Sequence, residues 1–475
     1  MKCPGFISVH VFRQVLAATA TSLHSLSAGT VFGHSAVLLP QLKEDQTILY
    51  DAAYDSWIAS ISPLSMVLGC LIAGSIIDRF GRRVGLIFFS IPFVLGWIVM
   101  GLSCNVNLLL LGRAVTGVST GAFRPMSIVY ISEVSDPKHR SMLLVSTSLS
   151  TNIGILLCHS VGVYLYWKTA IIVFCVPILL AVVILLCLKE SPLWLITKGK
   201  SDEGCVNFYW FRAKTEAADN ELKAVLNKQK NKSQDLNIKD TFKVIFSKAF
   251  LVPLAICFVI FTEVQFCGTH VLNFYALYLI KSTFSDNVDS FLLMMIIDAL
   301  RLFGTGAVFC TVKFVPRRVL YFLCSVMTAV CIFCLTSYLY LQTSNLLWFG
   351  LVSLVLFIFF SVTLVSTAWS YPSELYPSSV RGLGSSIASS MSFLLLFIII
   401  KVVPGLIDSY GILAFYITCG CITTVCTVIL FFVLPETNGK TLQEIENSLN
   451  KEKQLGSSIH GKENHQDLPF EQSKL

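Results

Sequence analysis

The sequence predicts an all-α membrane protein with twelve transmembrane helices in two six-helix, pseudo-symmetric halves. Its composition, the spacing of its apolar runs and a repeat between its halves support this fold class. Of its 475 residues, 55% are hydrophobic and 13% are charged, whereas a soluble domain is about 45–50% apolar, glycine included, and about 25% charged. So few charges cannot cover a soluble fold of this length, so a soluble enzyme and a nucleic-acid-binding protein are excluded despite the net charge of +7.

Twelve apolar runs set the number of helices, because a helix needs about 20 apolar residues to cross a bilayer. The runs lie near 12–33, 57–77, 84–104, 107–131, 142–165, 169–188, 250–279, 289–312, 318–341, 346–371, 383–407 and 412–434. The predicted divisions are an N-terminal six-helix half at 1–188, a cytosolic linker with short helices at 189–248, a C-terminal six-helix half at 249–434, and a partly disordered cytosolic tail at 435–475.

The distribution of basic residues predicts the orientation. The stretch 189–248 holds twelve Lys and Arg residues, whereas the loop at 34–56 has Lys43 against four acidic residues. Because loops rich in Lys and Arg stay in the cytosol, we expect the linker and both termini on that side of the plasma membrane.

The two halves repeat a pattern of charges. Glu133 ends the fourth run and is followed seven residues later by Arg140, and Glu374 and Arg381 have the same spacing after the tenth run. Internal repeats of this kind are typical of transporters that bind their solute between the halves, near the bilayer midplane.

Several motifs resemble those of the major facilitator superfamily and its sugar porter branch. They are Asp78-Arg79-Phe80-Gly81-Arg82-Arg83, Gly112-Arg113 with Gly117 and Gly121, Glu190-Ser191-Pro192-Leu193-Trp194-Leu195, the set Trp369, Glu374, Pro377, Arg381 and Gly382, and Pro435-Glu436-Thr437-Asn438-Gly439-Lys440-Thr441-Leu442. The resemblance covers about 12–446 and, within the branch, extends to the insect facilitated trehalose transporters. It implies the major facilitator fold and carriage of a sugar by alternating access.

Charged residues at the cytosolic helix ends suggest a latch between the halves, because carboxylates and guanidinium groups can pair bidentately. Such pairs would close the cytosolic side and break when it opens. The predicted latch residues are Asp78, Arg82, Arg113, Glu133, Arg140, Glu190, Glu374 and Arg381. The alternative is a positive surface that only sets the topology.

A sugar site needs hydrogen-bonding groups beside an aromatic face. The resemblance to the sugar porters implies substrate-binding positions at Ser148, Gln265, His270, Tyr275, Arg301, Trp369 and Ser392. Gln265 is the residue type that the family has at this position, whereas most of the family's other polar substrate contacts are replaced in this sequence.

Some replacements carry charge inside apolar runs, where ionisable groups are costly and usually face a partner or a wet cavity. Asp298 and Arg301 are three residues apart and can pair on one helix face. Glu263 and His270 are seven apart and share a face as well. One interpretation is a structural ion pair with a snorkelling Glu263, and the other is a changed substrate that itself carries charge.

The mode of transport is predicted from the first run. Proton coupling in sugar porters depends on an acidic residue there, whereas Val11 to Ser35 contains no Asp or Glu, only the histidines His24 and His34. Facilitated diffusion of a sugar, trehalose or a hexose, is therefore expected. The alternatives are a carrier of the same fold for a non-sugar, charged solute, and a non-transporting sugar sensor.

The sequence contains no nucleophile–base pair, metal-ligand spacing or phosphate loop. We therefore expect no enzymatic activity, no cofactor and no metal. The expected partners are a small-molecule substrate and the lipid bilayer, without nucleic acid, and a monomer is compatible with the sequence.

Overall fold

The computed structural model describes residues 9–45, 48, 51–230, 246–311, 314–341, 346–376 and 381–435. Over these residues the chain forms α-helices and two short 3-10 turns, without a strand. Eleven helical segments of the described chain are long and apolar enough to cross a membrane. Leu383–Val433 has 51 residues, or about 75 Å of helix, and so contains two crossings of a hydrocarbon core about 30 Å thick. Twelve crossings follow, as predicted.

The first half contains six membrane helices. They are α1 (Val9–Glu44), α2 (Asp55–Phe80), α3 (Arg82–Gly101), α4 (Val106–Val134), α5 (Pro137–Tyr164) and α6 (Trp167–Cys187). α1 is longer than its predicted run at 12–33, because the chain beyond that run stays apolar and buries Val37, Leu38 and Leu42.

Three short helices follow, and the end of the molecule that carries them is here called the linker side. They are α7 (Pro192–Thr197), α8 (Ser201–Phe211) and α9 (Glu216–Lys230). The Arg13 guanidinium of α1 donates to the Trp210 carbonyl at 2.8 Å, and Gln14 donates to the Phe211 carbonyl at 2.9 Å. Arg212 donates to the Ser135 carbonyl at 2.7 Å. These bonds fix the short helices to the first half.

The second half contains α10 (Lys248–Phe266), α11 (Thr269–Phe284), α12 (Ser290–Thr311), α13 (Arg317–Leu341), α14 (Leu347–Ala368), α15 (Tyr371–Leu375) and α16 (Arg381–Val433). α10 and α11 together form one crossing, which was predicted as a single run at 250–279. Within α16, Gly411 has φ 81°, a left-handed conformation that glycine tolerates. This break separates the last two crossings at the predicted position, between 407 and 412.

Among the described residues, the halves meet mainly where α1 packs on α11, α2 on α16, and α5 on α12. Buried apolar side chains of both halves form one continuous core along this interface. A second apolar cluster lies within the second half. A polar solute that crosses such a core needs a polar cavity within it.

Glycines bring the helices of the first half into close contact. A Cβ added at Gly121 of α4 would overlap the Met66 carbonyl of α2, and one added at Gly154 of α5 would overlap the Leu26 carbonyl of α1. Membrane helices associate through such small residues, because lipid provides no hydrophobic force between helices.

We expect Gly121→Ala to destabilise the protein by about 1–3 kcal/mol, the usual cost of overpacking. The measurement is the midpoint of thermal unfolding in detergent. Gly74→Ala is the matched control, because a Cβ at Gly74 meets nothing within 4 Å. Equal midpoints for the two variants would contradict the close contact between α2 and α4.

Candidate functional site

The site forms around a break in the first crossing of the second half. α10 ends at Phe266, α11 begins at Thr269, and Gly268 between them has φ 91°. Irregular backbone at membrane depth is tolerated only where it is buried in protein or lines a cavity. Discontinuous helices of this kind often carry the solute site of a carrier.

A cavity of about 100 Å³ lies beside this break, between the two halves. Its wall contains side chains of α1, α4 and α5 from the first half, and of α10, α11, α12, α14 and α16 from the second. Five predicted substrate residues line it: Ser148, Gln265, His270, Arg301 and Trp369. One water needs about 10–15 Å³, so the cavity has room for a small polar solute.

Several polar atoms of the cavity wall have no hydrogen-bond partner among the described residues. They are Gln265 Oε1, Thr269 Oγ1, Asn273 Oδ1, Arg301 Nε and both ring nitrogens of His270. Buried polar atoms are normally paired, so this set indicates a binding site. Together they provide the donors and acceptors that the hydroxyl groups of a polar ligand require.

Two predicted substrate residues, Ser392 and Tyr275, lie outside the cavity wall, and their contact with a substrate stays a prediction. The Ser392 hydroxyl accepts a hydrogen bond of 2.8 Å from Gln265 Nε2, and its neighbour Phe393 lines the cavity instead. Adjacent residues of a helix point about 100° apart, so only one of the two reaches the wall. Tyr275 lines a separate vestibule, and its hydroxyl donates to the Ile400 carbonyl at 3.0 Å.

Arg124 of α4 is a cavity residue that the sequence analysis missed. Its guanidinium carbon lies 4.2 Å from the ring centroid of Trp369, across the boundary between the halves. A cation over a tryptophan face gains about 0.5–2 kcal/mol. The available signal was the one that identified Arg301, an ionisable residue inside an apolar run. Asn273 was missed as well, since its position on the wall depends on the break at Gly268.

An ionic network joins the halves next to the cavity. Asp298 of α12 lies 3.0 Å from the Arg301 guanidinium, which confirms the predicted pair. The other oxygen of Asp298 lies 2.6 Å from His159 Nδ1 of α5, a partner that the sequence did not indicate. All three side chains are buried. Arg301 also donates to the Thr269 carbonyl at 3.4 Å, so the network reaches the break.

Glu263 has hydrogen-bond partners of its own, separate from this network. Its carboxylate accepts hydrogen bonds from Tyr321 at 2.7 Å, Thr427 at 3.1 Å, and Ser325. The predicted common face with His270 does not form, because the break at Gly268 lies between the two residues. Glu263 is fully buried, so the snorkelling interpretation is wrong, and its contacts tie α10 to α13 and α16.

A vestibule of about 1260 Å³ opens at the end opposite the linker side, here called the far side. Phe32 of the cavity wall and Phe274 of the vestibule wall are in edge contact, with ring centroids 6.0 Å apart. Lys401 lines the vestibule and donates to Ser56 at 2.8 Å. The Phe32–Phe274 contact thus lies between the cavity and the vestibule.

On the linker side, four predicted latch residues form one network within the first half. Arg82 contacts Glu133 at 2.9 Å and Asp78 at 3.1 Å. Glu190 accepts from the backbone amides of Arg82 and Arg83 at 2.8 and 3.0 Å. Glu190 therefore caps the start of α3, where helix amides favour an anion. Its predicted pairing with a guanidinium of the other half is absent from these contacts.

Arg113 was placed in the latch wrongly. It is buried, with one guanidinium nitrogen 3.0 Å from His34 Nδ1 and another donating to Ser35 at 2.7 Å. At 1.5 Å per residue, Arg113 and Glu133 are separated by about 30 Å along α4. Arg113 therefore lies near the far side and fixes α4 to α1.

The remaining predicted latch residues are Arg140, Glu374 and Arg381. Arg140 donates to the Ser135 carbonyl at 3.4 Å, within the first half. The side chains of Glu374 and Arg381 lie outside the described residues. A pairing of the two halves through these residues stays a prediction.

Two six-helix halves, a polar cavity between them and a vestibule on one side define a membrane carrier of small solutes. The chain belongs to the sugar (and other) transporter family, whose model matches residues 17–449.

The chain is also similar in sequence to curated transporters. A facilitated trehalose transporter, Tret1, of Apis mellifera ligustica is 28% identical over 441 residues, which cover 91% of this chain and 87% of the relative. The protein of the same name from Culex quinquefasciatus is 25% identical over 447 residues, with coverage of 92% and 86%.

Solved structures confirm the fold. A major facilitator superfamily proton:xylose symporter, XylE, bound to 6-bromo-6-deoxy-D-glucose has a TM-score of 0.76 at 19% identity, covering 92% of this chain and 99% of that one. The inward-open xylose transporter XylE from E. coli has a TM-score of 0.72 at 18% identity, covering 91% and 98%. The predicted major facilitator architecture is therefore confirmed.

We expect Asp298→Asn to destabilise the protein by about 3–5 kcal/mol, because it leaves Arg301 as an unpaired buried charge. The double variant Asp298→Asn/Arg301→Gln removes that charge and should recover part of the loss. The measurement is thermal unfolding in detergent. Glu203→Gln, which removes an exposed pair at 3.8 Å, should change stability by at most about 1 kcal/mol. A double variant no more stable than Asp298→Asn would count against this account.

Proposed function

We propose that the protein carries a sugar across the plasma membrane by facilitated diffusion, with the linker side and both termini in the cytosol. The observation that carries the proposal is the set of unpaired donors and acceptors in the central cavity. The basic linker and loops support the orientation, since loops rich in Lys and Arg stay in the cytosol.

A sugar suits this cavity because it presents hydroxyl groups at its edge and an apolar surface at its ring faces. Gln265, His270 and Asn273 provide hydrogen-bonding groups from the broken crossing. Phe123 and Phe393 provide aromatic surface from opposite halves. The Ser392 hydroxyl holds Gln265 in place, so that its carbonyl oxygen is available to a solute. The names of the curated relatives, facilitated trehalose transporters, agree with a sugar substrate.

The contacts of Arg113 support transport without proton coupling. In α1 its partners are His34 and Ser35, rather than a carboxylate. A buried arginine beside a neutral hydroxyl and an imidazole has no acidic partner there whose proton can be exchanged with each transport cycle. The solute's own concentration gradient would then drive its movement.

Alternating access requires the contacts between the halves to break in turn. On the linker side the Cys70 thiol of α2 donates to the Ser386 carbonyl of α16 at 3.7 Å, and Cys70 is buried. On the far side the vestibule is open. These contacts support a carrier that receives its solute from the far side.

The direct test is uptake of labelled glucose and trehalose into proteoliposomes, with and without a pH gradient. We expect saturable uptake that is independent of the pH gradient. Gln265→Ala should raise KM about five- to tenfold, the effect of losing a hydrogen bond worth about 1 kcal/mol.

Gln14→Ala is the matched control, because Gln14 is also buried but bonds to Phe211 and Asp136 on the linker side. Its KM should equal that of the wild type. Uptake that requires a proton gradient would contradict facilitated diffusion, and an unchanged KM in Gln265→Ala would remove that residue from the site.

The latch prediction is tested by the reactivity of Cys70 in a variant that lacks the other cysteines. Arg381→Ala should favour opening of the linker side and increase the rate at which a maleimide labels Cys70 by about tenfold or more, equivalent to about 1.4 kcal/mol. Arg79→Ala, which replaces an exposed basic residue of the same side, is the control. Equal labelling rates in the two variants would contradict the latch and favour the alternative, in which these charges only set the orientation of the protein in the membrane.

A further inference from the structure

Arg124 is a charge of the central cavity that neutral-sugar transport does not explain. Its side chain lines the cavity and lies over the Trp369 ring at 4.2 Å. Among the described residues, no carboxylate pairs with it and no hydrogen-bond acceptor contacts it. Ionisable groups are retained within membrane spans mainly where they face a wet cavity or the path of a solute.

The surrounding acidic groups already have partners. Asp298 is shared between Arg301 and His159. Glu263 is held by the hydroxyls of Tyr321, Ser325 and Thr427 and is not among the residues that line the cavity. The described cavity wall contains Arg124 and Arg301 but no Asp or Glu side chain. One positive charge of the wall, that of Arg124, therefore lacks a counter-charge.

We propose that Arg124 forms a subsite for a carboxylate, and that the preferred solute is an acidic monosaccharide. A guanidinium binds a carboxylate with two parallel, charge-assisted hydrogen bonds, which are stronger than bonds to a neutral hydroxyl. Trp369 positions the guanidinium from the other half, so that the solute's carboxylate would contact a group bound by both halves. The ring hydroxyls would bond to Gln265, His270 and Asn273. This inference rests on the proposed sugar transport and specifies its substrate.

The first experiment compares two solutes that share a ring and differ at one carbon. Purified wild-type protein in proteoliposomes is supplied with labelled glucuronate or labelled glucose, with methanesulfonate replacing chloride. We expect a KM for glucuronate at least about tenfold below that for glucose, because a bond to a charged group is worth about 1.5–3 kcal/mol. An imposed potential, positive inside, should accelerate uptake of glucuronate and leave that of glucose unchanged.

The second experiment changes the charge of the subsite. Arg124→Gln should raise the KM for glucuronate, relative to the KM of the same variant for glucose, at least about tenfold, and Arg124→Lys should retain part of the preference for the acid. Arg79→Gln, an exposed residue outside the cavity, is the control and should behave as the wild type. Inhibition of labelled glucose uptake by unlabelled glucuronate in the wild type measures the same preference for the acid and does not depend on how the variants fold.

The outcomes separate this inference from the proposed function. Saturable glucose uptake without preference for glucuronate overturns the carboxylate subsite and leaves sugar transport in place. Glucose uptake that requires external chloride shows that Arg124 binds an inorganic anion, which also overturns the proposal. Absence of uptake for both sugars contradicts sugar transport itself and this inference with it.

Discussion

The cost of leaving a charge unpaired inside a bilayer is the constraint on which this structure depends. Each buried ionisable group pays a desolvation penalty that only close partners or water can offset. Asp298 meets it through one partner in each half, Glu263 through three hydroxyls, and Arg113 through α1. These contacts also join helices that are distant in sequence. Arg124 is the exception, and its exposure to the cavity makes solvent or solute its counterpart.

The contacts divide the molecule into parts that move together and surfaces that separate. Glycine contacts and the short linker helices hold the first half together, and the Glu263 cluster does the same in the second half. Between the halves, a continuous apolar core is crossed by individual polar contacts, such as Cys70 with Ser386. Two closely packed units that meet along one such interface are suited to rigid-body motion, in which the interface, rather than the interior of each unit, changes.

The sequence was sufficient for the fold because apolar run length and basic loops report directly on the bilayer. The resemblance to the sugar porters also indicated Gln265, Arg301 and Trp369 as candidate substrate residues, and all three line the cavity. The sequence was not sufficient where depth or direction decides the role. Arg113 lies near the far-side end of α4, whereas the predicted latch is at the opposite end. Ser392 points away from the cavity that its neighbour Phe393 lines. Both facts depend on tertiary packing, which local spacing does not contain.

The shared carboxylate of Asp298 has an evolutionary consequence. Because one acidic side chain neutralises Arg301 in its own half and binds His159 in the other, no member of this trio can change alone without leaving an unpaired polar group. Related carriers should therefore show correlated substitution at these three positions, with loss of the acid accompanied by loss of the arginine.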